Sequence, residues 1–267
     1  MEDGLYTMSD EEYFALPYPS NSKLLKLRDS PKHLKHDLDN PTITTPAMRF
    51  GQAFHCAILL PDIYKETWGF LPDIDGRTTE GKKVKAEVMA KYGKNVLSLD
   101  EHLTIEEMKI TLEEHPKAKA LLASLIPTKK EQVIIWTHQP TGLKCKAKID
   151  GISEHNLAID IKTTNDASLK EFMRSLHTYG YHRQASYYLQ GLNALGIMAK
   201  SFIFIAIEKE PPYGIGLYNI DHESLAIGHA ENLNALYLWK ECEEKQQWLD
   251  YNEGKIVDIS LPNWAKN

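Results

Sequence analysis

Cysteine is scarce in this sequence, and its few cysteines are far apart. Cys56, Cys145 and Cys242 form no CxxC pair in the 267-residue chain. One chain therefore has no ligand set for a zinc knuckle or for a four-cysteine iron–sulfur cluster. We expect reduced thiols, because free cysteine is usually buried as a small apolar side chain.

Long hydrophobic runs and a secretory leader are also lacking. No apolar stretch approaches the roughly 20 residues that cross a bilayer, and 25% of the residues are charged. The opening MEDGLYTMSDEEYF is acidic, whereas a signal peptide begins with basic and then apolar residues. We expect a soluble cytoplasmic protein without membrane contact.

An excess of positive charge is absent as well. The formal net charge of −6 argues against a protein that coats nucleic acid through bulk electrostatics, but it is compatible with a local basic groove. Lysines cluster within 82–85, 129–130 and 144–148. Each cluster taken alone is typical of a solvated surface.

The hydrophobic pattern changes from helical to strand-like along the chain. Helical spacing runs through the first half, with a break at Ser30-Pro31 and a helix end near Pro61. EQVIIWTHQ, LKCKAKIDGIS and LAIDIKTT are typical of strands, and a helical stretch, two strands and a long amphipathic helix follow. This order predicts a single α/β domain over residues 1–267, with a central mixed sheet flanked by helices and an N-terminal helical portion that could cap it.

The stretch KCKAKIDGISEHNLAIDIKTT, residues 144–164, predicts a β-hairpin whose loop is the polar trio at 154–156. In that register Asp150 lies opposite Asp160. Like charges opposed across a strand pair are destabilising, so we expect a cation between them. Alternation along each strand separates two sets of side chains, the first being Lys148, Asp150, Asp160 and Lys162, and the second Ile149, Ile159 and Ile161.

Two opposed carboxylates suit a hard divalent cation. Mg²⁺ takes oxygen ligands and is commonly held by one or two carboxylates together with substrate phosphate, and we expect Mn²⁺ to substitute for it. Lys162 would lie beside the ion, where a cation orients water or stabilises negative charge on a scissile phosphate. The alternative is a surface hairpin whose charges are merely solvated.

The same residues resemble the core of the PD-(D/E)XK nucleases. Asp150 followed by DIKTT, which contains Asp160 and Lys162, is similar to the signature of the RecB-type branch. That branch also carries Q-x-x-x-Y on the next helix, a histidine on an upstream helix, and an acidic residue that opens the strand before the hairpin. The matching residues here are Gln184 with Tyr188, His55, and Glu131. The proline of the PD label is replaced by Ile149, a position that carries no ligand.

Further blocks extend the resemblance to the RecE-like exonucleases over almost the whole chain. They occur in the same order and include NSKLLKLRDSPKHL, FGQAFHCAILLPD, GRTTEGKK, YHRQASYY and the terminal SLPNWAK. The resemblance implies a Mg²⁺-dependent exonuclease that degrades one strand of duplex DNA from its 5′ end. Such an enzyme releases 5′-mononucleotides and leaves a 3′ overhang. It also implies a ring-shaped homotetramer and a RecT-type annealing protein as partner.

The resemblance further implies roles for individual residues. Metal ligation falls to His55, Asp150 and Asp160, and the catalytic set comprises Asp150, Asp160, Lys162 and a supporting Glu131. Gln184 and Tyr188 are expected to face the site and the DNA strand. The expected DNA contacts also include Arg77, Thr78, Lys82 and Lys148.

Three alternatives stay open at this point. The first is a PD-(D/E)XK endonuclease on the same core, and the second is a nuclease-like DNA-binding module without catalysis. The third is a CRISPR-adaptation or helicase-linked nuclease with an iron–sulfur cluster. The intact Asp150, Asp160 and Lys162 disfavour the second, and the cysteine count disfavours the third.

Overall fold

A computed structural model describes residues 1–40, 44–75, 77–262 and 265 of the chain. Its strands, in chain order, are β1 (Gly4–Tyr6), β2 (Gly69–Phe70), β3 (Val96–Leu97), β4 (Leu125–His138), β5 (Leu143–Ser153), β6 (Leu157–Thr164), β7 (Ser201–Glu208) and β8 (Ile215–Asn219). Six of them form a central mixed sheet in the order β1-β4-β5-β6-β7-β8, and β2 pairs with β3 in a small second sheet. In the central sheet β6 and β7 run parallel, whereas the other neighbours run antiparallel.

Helices supply the remaining regular structure. Within the described residues they are α1 (Asp10–Ala15), α2 (Asn21–Lys26), α3 (Pro31–Asp39), α4 (Pro46–Leu59), α5 (Pro61–Thr67), α6 (Thr79–Tyr92), α7 (Leu99–Glu114), α8 (Pro116–Ala123), α9 (Leu169–Thr178), α10 (Tyr181–Ala194), α11 (His222–Lys245) and a 3₁₀ turn at Tyr251–Gly254. None of these described helices is both long and apolar enough to cross a bilayer.

Helices cover both faces of the central sheet. On one face, α2, α3, α9, α10 and α11 pack against a core that includes Trp136, Phe202 and Phe204. On the other face, α4, α5, α7 and α8 pack against Ile161 and Ile205. The predicted α/β class with a central mixed sheet is therefore confirmed. The N-terminal helices belong to both outer layers and do not form a separate cap.

Proline and capping side chains set the helix boundaries. Pro31, Pro46, Pro61 and Pro116 each stand in the first turn of a helix, where the missing N–H leaves no hydrogen bond unmade. Ser30 caps α3 by accepting a hydrogen bond from His33 N. The predicted break at Ser30-Pro31 and the predicted helix end near Pro61 are confirmed.

Strand β4 begins earlier than the sequence pattern indicates. EQVIIWTHQ predicts a start at Glu131, but the strand begins at Leu125. Its pairing with β5 is irregular between Leu125 and Lys130, and the polar residues there conceal the alternation. Glu131 thus lies within the strand and does not open it.

Gly191 in α10 illustrates how tightly the helices pack on the sheet. A Cβ atom at this position would lie 2.8 Å from Cε3 of Trp136, and that tryptophan is fully buried. Gly191→Ala is expected to lower the free energy of unfolding by about 1–3 kcal/mol, because overpacking forces the ring or the helix to shift. Gly51→Ala in α4 is the control, since an added Cβ there meets no atom of the described residues within 4 Å and alanine favours the helix. Urea unfolding that left Gly191→Ala as stable as the parent would contradict this packing.

Candidate active site

The two aspartates lie where strands β5 and β6 separate. These strands are paired through Gly151↔Ile159 and Ile152↔Ala158, which is the predicted register with the predicted loop at 154–156. Beyond these pairs the backbone N–H of Ile161 donates a hydrogen bond to Asp150 Oδ2 at 2.7 Å. The Asp150 carboxylate therefore accepts the hydrogen bond that a backbone carbonyl of β5 would otherwise accept. Its side chain thus bridges the gap that opens between β5 and β6 beyond their last pair.

One part of the predicted alternation is wrong. Ile149 packs in the same core cluster as Ile152, three residues away, so β5 breaks its two-residue alternation between them. Ile159 and Ile161 pack in the cluster on the other face of the sheet. Ile149 therefore faces the opposite side of the sheet from Ile159 and Ile161. The cause is the irregular stretch of β5 around Asp150, where the backbone pairing with β6 ends.

His55, Glu131 and Asp150 form a compact group of possible metal ligands. One donor atom of each lies within 4.8 Å of the others. His55 Nδ1 is 3.2 Å from Asp150 Oδ1 and 4.0 Å from Glu131 Oε1. Ligands held about 2.0–2.1 Å from one ion have such separations. Carboxylate oxygens suit Mg²⁺ or Mn²⁺, and the imidazole adds a nitrogen ligand of the kind that transition ions accept.

The backbone of Glu131 is in the left-handed region, with φ of 52°. This conformation is uncommon for a residue with a side chain, and such strain occurs most often at functional sites. Its carboxylate lies 2.6 Å from Lys148 Nζ, which also contacts Asp10 at 2.8 Å. Burial raises the pKa of Glu131, as does Asp150, while Lys148 opposes them.

Asp160 and Lys162 lie beside this group but make their own contacts. Lys162 Nζ is 2.7 Å from Asp160 Oδ2, and Gln184 Nε2 donates to Asp160 Oδ1 at 2.6 Å. Among the described residues, the buried Oδ2 has Lys162 as its charged neighbour but no hydrogen bond of good geometry. His55, Glu131 and Asp150 thus fit a divalent cation, whereas Asp160 lies outside this trio.

Burial and neighbouring charges perturb the protonation of these groups. Burial raises the pKa of Asp160 to about 6 against the opposing effect of Lys162. Burial lowers the pKa of Lys162, but Asp160, Tyr181 and Asp150 together raise it above its ordinary value, so the ammonium group stays charged. Burial likewise lowers the pKa of His55, and Asp150, Glu131 and Asp160 together raise it to about 9.

Mn²⁺ binding at pH 7.5 is therefore expected to release about one proton, because His55 is cationic without metal and must be neutral to act as a ligand. Calorimetric titration in two buffers of different ionisation enthalpy, HEPES and Tris, measures the release. His55→Gln is expected to bind Mn²⁺ more weakly and without releasing this proton. Equal apparent enthalpies in both buffers for the parent protein would contradict ligation by His55.

A cleft of about 1320 Å³ opens in front of the trio. Tyr188 lines it, together with Lys148, and Gln184 on the same helix reaches Asp160. The sequence predicts that Lys148 contacts DNA, but in the structure its ammonium group forms ion pairs with Asp10 and Glu131.

Residues 77–83 of the block GRTTEGKK do not line the cleft, although Lys85 and Met89 farther along α6 do. Thr78 caps α6 by accepting a hydrogen bond from Gly81 N, and the exposed Arg77 pairs with Asp75. Lys82 is exposed on the same helix. Arg77, Thr78 and Lys82 themselves do not line the cleft, and their contact with DNA stays a prediction. The resemblance blocks also include Gly76 and residues 263, 264 and 266, which lie outside the described residues.

The site contains residues that the sequence analysis did not single out. Tyr181 places its ring under the ammonium group of Lys162, 4.7 Å from the ring centroid. Asp10 reaches the site through Lys148. The position of Tyr181 three residues before Gln184, which puts both on one helix face, was an available signal. Nothing local in the sequence connects Asp10 to a lysine 138 residues away.

The sheet order, the flanking helices and the Asp150, Asp160 and Lys162 constellation define a PD-(D/E)XK-like domain. Over residues 20–256 the sequence matches the family described as "PDDEXK-like domain of unknown function (DUF3799)". The chain belongs to this family.

Solved structures add evidence for the fold. A crystal structure from Eubacterium rectale, provisionally described as that of an exonuclease, superposes with a TM-score of 0.64 at 13% identity, covering 96% of this chain and 97% of that one. A second, SSO0001, gives a TM-score of 0.30 at 16% identity over 84% of this chain and 92% of that chain, too low to carry weight. No curated protein sequence matches the chain.

Proposed function

We propose that this protein is a Mg²⁺-dependent exodeoxyribonuclease that degrades one strand of duplex DNA in the 5′-to-3′ direction. The main support is the compact group of His55, Glu131 and Asp150 beside the Asp160–Lys162 pair, at a large cleft. This arrangement combines a site for a divalent ion with a cation for a phosphate. The fold shared with a provisionally described exonuclease agrees with this proposal, and the resemblance to RecE-like sequences supplies the polarity.

In this proposal each residue has a distinct task. His55, Asp150 and Asp160 would hold the ion, with Glu131 beside them. Bound there, a divalent cation would supply a water of lowered pKa and positive charge for the phosphate. Lys162 stays protonated and therefore orients the attacking water or stabilises the phosphate rather than accepting a proton. Gln184 fixes the Asp160 carboxylate by its hydrogen bond.

The wider setting follows from the resemblance to RecE-like enzymes. We propose a cytoplasmic, single-domain protein that assembles as a ring-shaped homotetramer on duplex ends. Its 3′ overhangs would be passed to a RecT-type annealing protein. A ring would let cationic groups face an inner channel while the acidic excess faces outward, and digestion would then weaken with rising salt.

Digestion of linear duplex DNA, labelled separately at each 5′ and 3′ end, tests the proposal. We expect early release of labelled 5′-mononucleotide from 5′-labelled ends in Mg²⁺ and none in EDTA. Covalently closed circular duplex separates exonuclease from endonuclease activity, because only an endonuclease cuts it. If both labels stay on full-length duplex and the closed circle stays intact, in Mg²⁺ and in Mn²⁺, the nuclease proposal is wrong.

A further inference from the structure

Residues 1–19 precede the part of the chain that matches the family, which begins at residue 20. Nevertheless, α1 lies against the candidate active site. Asp10, Tyr13 and Phe14 line the cleft together with His55 and Asp150. The N-terminal segment, residues 1–19, therefore contributes surface that a substrate in the cleft would meet.

The N-terminal segment is anchored firmly on the sheet. β1 pairs with β4, and Tyr13 is buried against Val133 and Ile135. The buried Lys146 donates hydrogen bonds to the carbonyl oxygens of Tyr13 and Leu16, both at 2.7 Å. Tyr13 and Leu16 lie at the C-terminal end of α1, so a cation stabilises the exposed carbonyl end of this helix.

Asp10 is connected to the proposed metal site through one lysine. Its Oδ1 lies 2.8 Å from Lys148 Nζ, and the same ammonium group lies 2.6 Å from Glu131 Oε2. Gln52 of α4 donates a hydrogen bond to the other oxygen of Asp10 at 3.2 Å. Asp10 thus fixes Lys148, and Lys148 in turn fixes the carboxylate of the strained Glu131.

Phe14 presents an aromatic ring to the cleft. Its side chain is 61% exposed, although it is large and apolar, and its ring packs edge-on against the buried Tyr13 at 5.3 Å. The ring therefore contacts Tyr13 on one side while most of it stays open to the cleft. An exposed aromatic ring in a cleft is a suitable stacking surface for an unpaired base.

We propose that the N-terminal segment forms one wall of the active site and contributes to both catalysis and substrate binding. Asp10 is a positioning residue that acts on Glu131 through Lys148, and Phe14 stacks on an unpaired base of the DNA strand in the cleft. This inference rests on the proposed nuclease function. It adds that the substrate strand is single-stranded where it contacts the N-terminal segment. It also adds that Asp10 affects kcat, whereas Phe14 affects KM.

The first test replaces Asp10. Asp10→Asn is expected to lower kcat about tenfold and to leave KM within about twofold, as for other groups that orient a metal ligand. Asp10→Glu, which keeps the charge, should recover most of the rate. In a Lys148→Met background Asp10→Asn should cause no further loss, because both act through one contact. Asp39→Asn, which breaks the exposed ion pair with Lys35, is the matched control.

The second test replaces Phe14 and needs no catalysis. In EDTA, Phe14→Ala is expected to bind a labelled oligothymidylate about tenfold more weakly, as the loss of one stacking ring predicts. Its affinity for a blunt hairpin duplex should be unchanged. With Mg²⁺, the same variant should raise KM and leave kcat within about twofold. Tyr237→Ala removes another exposed ring, on α11, and serves as the control.

The outcomes separate this inference from the function on which it rests. A parent protein that cleaves no DNA contradicts the nuclease proposal. If the parent cleaves DNA but Asp10→Asn and Asp10→Glu match Asp39→Asn, the positioning role is wrong. If Phe14→Ala binds oligothymidylate as tightly as Tyr237→Ala, the stacking role is wrong. Thermal unfolding of every variant shows whether a loss of activity or binding comes from a destabilised fold. Because Phe14 is largely exposed, Phe14→Ala should leave the fold intact.

Discussion

Asp150→Asn is expected to lower the rate of phosphodiester hydrolysis by about 10³-fold, since it removes a charged ligand from the proposed metal site. Asparagine has the same shape and can still accept the hydrogen bond from Ile161 N that Asp150 accepts at 2.7 Å. The strand gap should therefore persist, and the loss should reflect chemistry rather than folding. Nucleotide release in Mg²⁺ measures the rate, and Mn²⁺ titration measures the affinity, which should fall as well.

Asp221→Asn is a matched control for this substitution. Asp221 also accepts a backbone N–H at 2.7 Å, from Ser224 at the start of α11, and asparagine caps a helix about as well as aspartate. It lies outside the cleft lining, so activity should stay within about twofold. If Asp150→Asn kept more than about a tenth of the parent rate, Asp150 would not be a metal ligand.

Lys162→Met is expected to lower kcat by about 10²–10³-fold and to leave Mn²⁺ affinity at pH 8 nearly unchanged. Methionine occupies similar space above the Tyr181 ring but carries no charge for the phosphate. The Lys162 cation lowers the pKa of Asp160, which burial raises to about 6. Without it that pKa rises further, so any residual activity should need a higher pH. Single-turnover rates across pH 6–9 measure both effects.

Lys245→Met is the control for Lys162→Met. Lys245 also pairs with a carboxylate, that of Glu241 at 2.5 Å, but both side chains are exposed on α11, where an ion pair contributes little. Its rate and pH profile should match those of the parent. A Lys162→Met enzyme with the parent's kcat would show that the charge at this position has no part in hydrolysis.

The hairpin at the site could be predicted from sequence because its signals are local. A polar trio at 154–156 between two alternating strands fixes the register, and the structure has the pairs that follow from it. The irregularity after Ile149 could not be predicted in this way. It depends on Asp150 capturing the N–H of Ile161, which is a contact between strands rather than a property of either one.

Contacts over long sequence separations account for most of what was missed. Lys148 looked like a free cation, yet Asp10 and Glu131 reach it from two other elements. Arg77 and Lys82 looked suited to a phosphate, but Arg77 pairs with Asp75 and neither side chain lines the cleft. Composition and spacing show which charges a chain has, whereas tertiary packing decides which of them remain unpaired.

The left-handed backbone at Glu131 places opposing demands on a single position. Glycine would adopt that conformation without a steric penalty and asparagine with a smaller one, so either would relieve the backbone. Neither can supply the carboxylate that faces His55. Selection for stability alone would favour replacement of Glu131 by glycine or asparagine. A glutamate retained at this position in related sequences would therefore indicate selection for catalytic function at a cost in stability.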